Sequence, residues 1–195
     1  MLAGALAFVT VAGASAAYAA TFTPGSAGLG DPFFPLGGNG GYDVRHYGLT
    51  LNYEPQSNNL TGTAVIDAVA TQDLSQFDLD LRGFDITALA VNGTAAPFTR
   101  SGQELVIEPT EGLPTGETFT VTIDYSGTPS VVTDPDGSIE GWVPTDDGAV
   151  SVGEPQGSPG WYPCNDNPHG NLLTFAPSSV IAAQSMHQPE SAGIR

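Results

Sequence analysis

Residues 77–82 read Phe-Asp-Leu-Asp-Leu-Arg. Apolar and charged side chains alternate with a period of two, as in a strand with one face in a core and the other in water. The same period recurs on both sides of this stretch. Upstream, Leu49, Leu51 and Tyr53 alternate with Thr50 and Asn52, and Ala64, Ile66, Ala68 and Ala70 follow a turn at Asn58-Asn59. Downstream, residues 86–91 end at Asn92-Gly93, a tight-turn pair. Leu105 and Ile107 mark the next strand, and Phe119, Val121, Ile123 and Tyr125 alternate with Thr120, Thr122 and Asp124. Six strand candidates within ~85 residues predict an all-β, antiparallel fold, either a β-sandwich of two packed sheets or a saddle-shaped sheet. No stretch sustains a 3.6-residue period, and Asp73-Leu74-Ser75-Gln76 reads as one helical turn at most.

The chain has 195 residues, 4 Lys+Arg against 21 Asp+Glu, and a formal net charge of −17. Its basic residues are Arg45, Arg82, Arg100 and Arg195. This balance excludes nucleic acid as a partner, because binding it needs clustered cations that displace phosphate counterions. It equally opposes docking on an anionic membrane face. The 25 glycines and 16 prolines suit a fold rich in turns and short strands.

Residues 1–19 read as a signal peptide. An uncharged apolar core spans residues 2–11, and Ala17-Tyr18-Ala19 supplies the small-x-small cleavage pattern. The Lys or Arg that usually precedes such a core is absent. The expectation is a secreted, extracellular protein with no membrane attachment after cleavage. Residues 20–40, punctuated by Pro24, Gly25, Gly28, Gly30, Pro32, Pro35, Gly37, Gly38 and Gly40, read as a Gly/Pro-rich leader in extended form.

Little of the chain can do chemistry alone. His46, His169 and His187 fall in no H-E-x-x-H, and Cys164 is the single cysteine, so no intramolecular disulfide can form. No G-x-S-x-G, phosphate-binding loop or dinucleotide fingerprint is present. No catalytic residue and no metal ligand is therefore assigned within this chain. The acidic stretch 134–147 could be a calcium loop. Its spacing does not match the D-x-D-x-D-G pattern, and turn residues in a solvated loop account for it better.

One segment has no strand period. Residues 153–168 read Gly-Glu-Pro-Gln-Gly-Ser-Pro-Gly-Trp-Tyr-Pro-Cys-Asn-Asp-Asn-Pro. They could simply cap the fold, or they could bind, because irregular segments held by proline often carry binding residues. The segment resembles a loop of the aminopeptidase N family of zinc metallopeptidases (gluzincins). That loop runs Glu-Pro, six variable residues, then aromatic-Pro-Cys-x-Asp-x-Pro. Glu154, Pro155, Tyr162, Pro163, Cys164, Asp166 and Pro168 stand at matching places. Residues 42–51 (Tyr-Asp-Val-Arg-His-Tyr-Gly-Leu-Thr-Leu) and 60–66 (Leu-Thr-Gly-Thr-Ala-Val-Ile) resemble the opening strands of the same family's N-terminal domain.

The resemblance implies an N-terminal β domain over residues 41–168. It implies that Glu154 reaches the active site of a following domain and holds the free α-amino group of a peptide substrate. It implies zinc in the full-length enzyme, held outside this chain, so these 195 residues alone are expected to be inactive. Departures exist. Val152 stands where many members have glutamine, and Gly157-Ser158-Pro159 where many have Asp-Ala-Arg. After Pro168 the family continues Lys-Ala-Thr-aromatic, then a catalytic domain with H-E-x-x-H. Here residues 169–195 begin His-Gly-Asn-Leu-Leu-Thr and form a divergent tail. Shifting the frame by one base within Gly-Asn-Leu can encode Ala-Thr-Phe, so a frameshift is one reading. A short protein with its own tail is the other. A further alternative is a secreted β-sandwich module that binds cell-wall or other glycan, with Trp142, Trp161 and Tyr162 as an exposed stacking platform.

Overall fold

A computed structural model describes residues 20–133, 137–153, 156–166, 174–175 and 180–182. The signal-peptide stretch, Asp134 and Asp136 of the acidic loop, Glu154, Pro155, His169 and His187 lie outside the described residues. In chain order the strands are β1 (Thr23–Pro24), β2 (Tyr42–Glu54), β3 (Asn59–Ala70), β4 (Leu74–Asp80), β5 (Asp85–Val91), β6 (Thr94–Ala95), β7 (Phe98–Ser101), β8 (Glu104–Ile107), β9 (Thr118–Gly127), β10 (Val131–Thr133), β11 (Ile139–Pro144), β12 (Ala149–Val152), β13 (Thr174–Phe175) and β14 (Val180–Ala182). Among the described residues they form three sheets. The large one is ordered β13-β2-β3-β9-β5-β6, with β14 also on β2; the others are β1-β4-β8-β7 and β10-β11-β12. The all-β expectation holds. Pairing is antiparallel except where β1 joins β4 and where β13 and β14 join β2.

The large sheet is built on the period of two. Along β3 the even positions Leu60, Ala64, Ile66, Ala68 and Ala70 are buried, and along β9 the odd positions Phe119, Val121, Ile123 and Tyr125. In β2 the buried parity changes from even (Tyr42, Val44) to odd (Tyr47, Leu49, Leu51, Tyr53). The pairing explains it: Val44 faces Ala68 and His46 faces Asp67, which leaves Arg45 as an extra residue. This bulge lets both halves of a 13-residue strand face one core despite the parity break. The Asn92-Gly93 turn is as expected, with both residues at positive φ (50° and 76°).

Two readings of the sequence need correction. Asp73-Leu74-Ser75-Gln76 forms no helical turn, since β4 begins at Leu74. Leu74 is fully buried and exchanges both backbone hydrogen bonds with Leu113, so long-range pairing overrides the weak local preference. The second concerns residues 77–82. Phe77 packs edge-on against Tyr42 of the large sheet and meets Phe119, as the alternation requires. Asp78 and Asp80, however, do not face water: they are 3% and 0% exposed. Nor is the leader free. Thr23 N–H donates to the Asp73 carbonyl and Gly25 N–H to that of Gln76. At the leader's far end, the Asn39 side chain donates to Asp80 Oδ2 at 2.9 Å.

Gly62 is the tight point of the large sheet. It lies directly opposite Tyr125, and a Cβ there would sit 2.4 Å from the tyrosine ring. The ring cannot swing away cheaply. Its hydroxyl donates to the Trp161 carbonyl at 3.1 Å, and Phe84 stands edge-on to it. Gly62→Ala is expected to cost roughly 1–3 kcal/mol through overpacking. Gly48→Ala in the same sheet would place its Cβ 3.7 Å from the Val65 carbonyl, an ordinary contact, and should be neutral or slightly stabilising. Urea-denaturation midpoints of the two variants check the contrast.

Candidate functional site

The described residues of the segment after β12 are tied down by hydrogen bonds. Gly157 N–H donates to the Gly153 carbonyl at 3.1 Å, closing a short turn. Gln156 N–H donates at 2.8 Å to Oε2 of Glu140, a carboxylate only 1% exposed on β11. Gly157 is obligatory for another reason. A Cβ there would stand 2.0 Å from the Val152 carbonyl and 2.5 Å from the Gly141 nitrogen, and both are backbone atoms that cannot rotate aside. Glu154 itself lies outside the described residues, yet Gly153 before it and Gln156 after it are both held.

Further along, the 3₁₀ turn Ser158–Gly160 carries Pro159 in its first turn, where the missing N–H costs nothing. Arg82 N–H donates to the Pro159 carbonyl, and Ser130 N–H to that of Gly160. Cys164 and Asp80 exchange backbone bonds at 2.7 and 3.0 Å, which extends the β4 edge by one isolated bridge. Asn165 N–H donates to the Tyr47 hydroxyl, and its side chain bonds Asn39 backbone in both directions. Asp166 N–H donates to Asp80 Oδ2 at 3.1 Å.

The aromatic residues of the segment are structural. Trp142 and Tyr162 are 8% and 4% exposed. Trp161 is tilted 42° from Trp142 and 56° from Tyr162. Tyr53 and Tyr47 meet Trp142 and Tyr162 edge-on. Stacking on a sugar needs exposed, nearly coplanar rings, so this cluster is not a glycan platform. It is a wedge that fixes the segment to the core, with each edge-on pair contributing about 0.5–1.5 kcal/mol beyond burial.

The single thiol has a similar explanation. Burial pushes Cys164 well above the ordinary thiol range, with Asp166 and Asp80 adding to it. It therefore stays protonated and packs as a small apolar group. The Asp146-Asp147-Gly148 part of the acidic stretch is a turn, closed by Thr145 N–H on the Gly148 carbonyl.

Sequence reasoning missed a group of buried carboxylates beneath the segment. Asp78 and Asp80 on β4, Glu104 on β8 and Asp166 are all nearly or fully buried. Gln103 donates to Asp80 Oδ1 at 2.9 Å and accepts from Arg82. Burial raises Asp166 to about 7, with Asp80 adding and Arg82 opposing. No period or motif could expose this group, because it depends on β4 pairing with β8 and on where residues 39 and 166 arrive. Its carboxylates do not make a zinc site. Among the described residues, no grouping of three or more His, Cys, Asp or Glu has an arrangement able to hold a metal ion. His46 lies on β2 between Asp67 of β3 and Thr174 of β13.

No family model matches the chain. Solved structures do. A two-domain M1 zinc metallopeptidase variant bound to L-arginine matches at 34% identity with a TM-score of 0.70, over 76% of this chain. An M1 zinc metallopeptidase variant of Deinococcus radiodurans bound to a Tyr-Ser-Ala substrate matches at 34% and 0.69, and an M1 zinc metallopeptidase of the same organism at 33% and 0.68. This is the N-terminal β domain of the M1 zinc metallopeptidase family. The chain spans about a third (34%) of the length of those structures. In this M1-type domain the described residues on both sides of the Glu154-Pro155 pair are hydrogen-bonded, Gly153 to Gly157 and Gln156 to buried Glu140.

The Gly157 packing yields a prediction. Gly157→Ala should open the 153–157 turn at a cost of roughly 1–3 kcal/mol. Amide exchange at Gln156 and Trp161 should speed up at least about tenfold, while the β3 and β9 amides keep their protection. Hydrogen-exchange mass spectrometry reads both.

Proposed function

We propose that this chain is the substrate-amine-recognition domain of an exported zinc metallo-aminopeptidase, with Glu154 as the recognising carboxylate. The observation that carries the reading is the fixed frame around Glu154. Gly153 and Gly157 are bonded to each other, and Gln156 is bonded to buried Glu140. A carboxylate on a loose loop would lose ordering entropy on binding. One flanked by held residues would lose less, and in a water-poor cleft its pairing with an ammonium is far stronger than in bulk water. Such a group selects peptides with a free N-terminus. The solved relatives support this, since L-arginine and Tyr-Ser-Ala both carry a free α-ammonium group.

Zinc chemistry, on this reading, belongs to the part of the two-domain relatives that this chain does not span. A zinc-activated water would attack the first peptide bond there, and this domain would set which bond is first. Export rests on the apolar 2–11 stretch and the Ala17-Tyr18-Ala19 site.

Two measurements test the proposal. The purified chain should not hydrolyse an aminoacyl-anilide, with or without added zinc. Activity that a chelator abolishes would overturn the division of labour. In a chimera that joins this domain to the second domain of the Deinococcus radiodurans relative, Glu154→Gln should raise KM for Tyr-Ser-Ala at least about tenfold, because a charge-assisted bond is lost. An unchanged KM in an active chimera would remove Glu154 from amine recognition.

A further inference from the structure

The buried carboxylates contain a pair placed face to face. Asp80 and Glu104 are direct cross-strand partners of β4 and β8, 0% and 4% exposed. Their surroundings differ. Asp80 receives three hydrogen bonds, from the Asn39 side chain, Asp166 N–H and the Gln103 side chain. Among the described residues no hydrogen bond of ordinary geometry reaches either oxygen of Glu104, and the nearby Asn39 amide already donates to Asp80. The contact of Glu104 with Asp80 becomes a hydrogen bond only when a proton lies between them. We propose that Asp80 and Glu104 share one proton and thereby form a latch that holds the C-terminal half of the 153–166 segment to the domain, and that loss of this proton releases it.

The chemistry is a simple ionisation. The acid form pairs a protonated Glu104 with an ionised Asp80. The base form has two carboxylates, and the proton goes to solvent. Two like charges at short range in a dry site cannot both ionise cheaply. Burial, then Asp80, then Asp78 raise Glu104 to about 8; the Asn39 amide, already bonded to Asp80, opposes only in part. Burial raises Asp80 to about 6 against its donors and Arg82. Other groups face the pair. Asp78 on β4 is raised by burial, and Asp166 and Cys164 lie on the segment itself. Tyr42 and Tyr47 on β2 stay neutral, because burial raises both well above their ordinary value. Glu140 on β11 acts on Asp166, and Arg82 is the cation that opposes the carboxylates.

The sign follows from raised carboxylates. The folded state holds protons that the unfolded chain has already lost, so its advantage is complete at acid pH. That advantage disappears as pH rises through about 6 to 8. The weakest element around the pair is the segment. β4 and β8 share a four-residue ladder, whereas residues 164–166 hold on by one isolated bridge, the Asp166 N–H bond and the bonds of Asn165 to Tyr47 and Asn39, most of them side-chain bonds outside any ladder.

The effect on substrate recognition rests on the reading of Glu154 above, but the latch does not, and its test uses no substrate. Hydrogen exchange of the full chain is measured between about pH 6 and about pH 8.5 and corrected for intrinsic rates. Opening at Cys164 and Asp166 should rise at least about tenfold, while Ile66 and Ile123 amides stay protected. Asp166, itself raised to about 7, is removed from the comparison by working in an Asp166→Asn background. There Glu104→Gln, whose side-chain amide replaces the shared proton as donor to Asp80, should make the opening independent of pH. A pH-independent wild type, or a Glu104→Gln chain that keeps the rise in that background, overturns the proposal. Should Glu104→Gln fail to fold, infrared titration of the wild type and of Asp166→Asn decides. A protonated-carboxyl stretch that vanishes over the same range and persists in Asp166→Asn supports the latch, and its absence at the acid end in that variant sinks it.

Discussion

A carboxylate removed from water must be given donors, and Asp80 sets that demand at the centre of this domain. The donors come from three distant places: Asn39 at the end of the leader, Gln103 at the mouth of β8 and Asp166 beyond the wedge of aromatics. Without that carboxylate the three would have no common anchor. Its burial is therefore what converts a glycine-rich leader, a hairpin and an irregular loop into one body. Gln103 also bridges Asp80 to Arg82, so this cation is joined to the acid through an amide.

The long strands were legible because their solvent face is polar and their core face is not. β3 and β9 follow the period of two along their whole length. The reading failed where a strand is buried on both faces. Asp78 and Asp80 look identical to solvent-facing residues, because alternation separates polar from apolar, not wet from dry. The attachment of the leader was not legible for a related reason. Glycine serves both a loose linker and a close approach of two backbones, and sequence alone does not distinguish them. The parity break in β2 hid the first third of that strand, since the bulge at Arg45 shows only in the pairing.

For the candidate site, the motif carried what the period could not. Glu154 and the Pro-Cys-x-Asp run drew attention through resemblance alone. What they rest on was invisible: Glu140 beneath Gln156, Tyr47 beside Tyr162, and the acid pair under Asp166. The aromatics suggested a binding surface because their types are common at such surfaces, yet burial gives them a scaffolding task. Residue type narrows the roles a side chain can take, and only its neighbours select among them.

Gly62 has a consequence for how such a domain tolerates change. Its missing side chain admits the Tyr125 ring, whose hydroxyl passes through to the carbonyl of Trp161. A strand residue with no path of its own to substrate is thus mechanically joined to the segment after β12. A genetic screen reading only the integrity of that segment would score position 62 beside position 157, and its map of functional residues would include one that never meets a ligand.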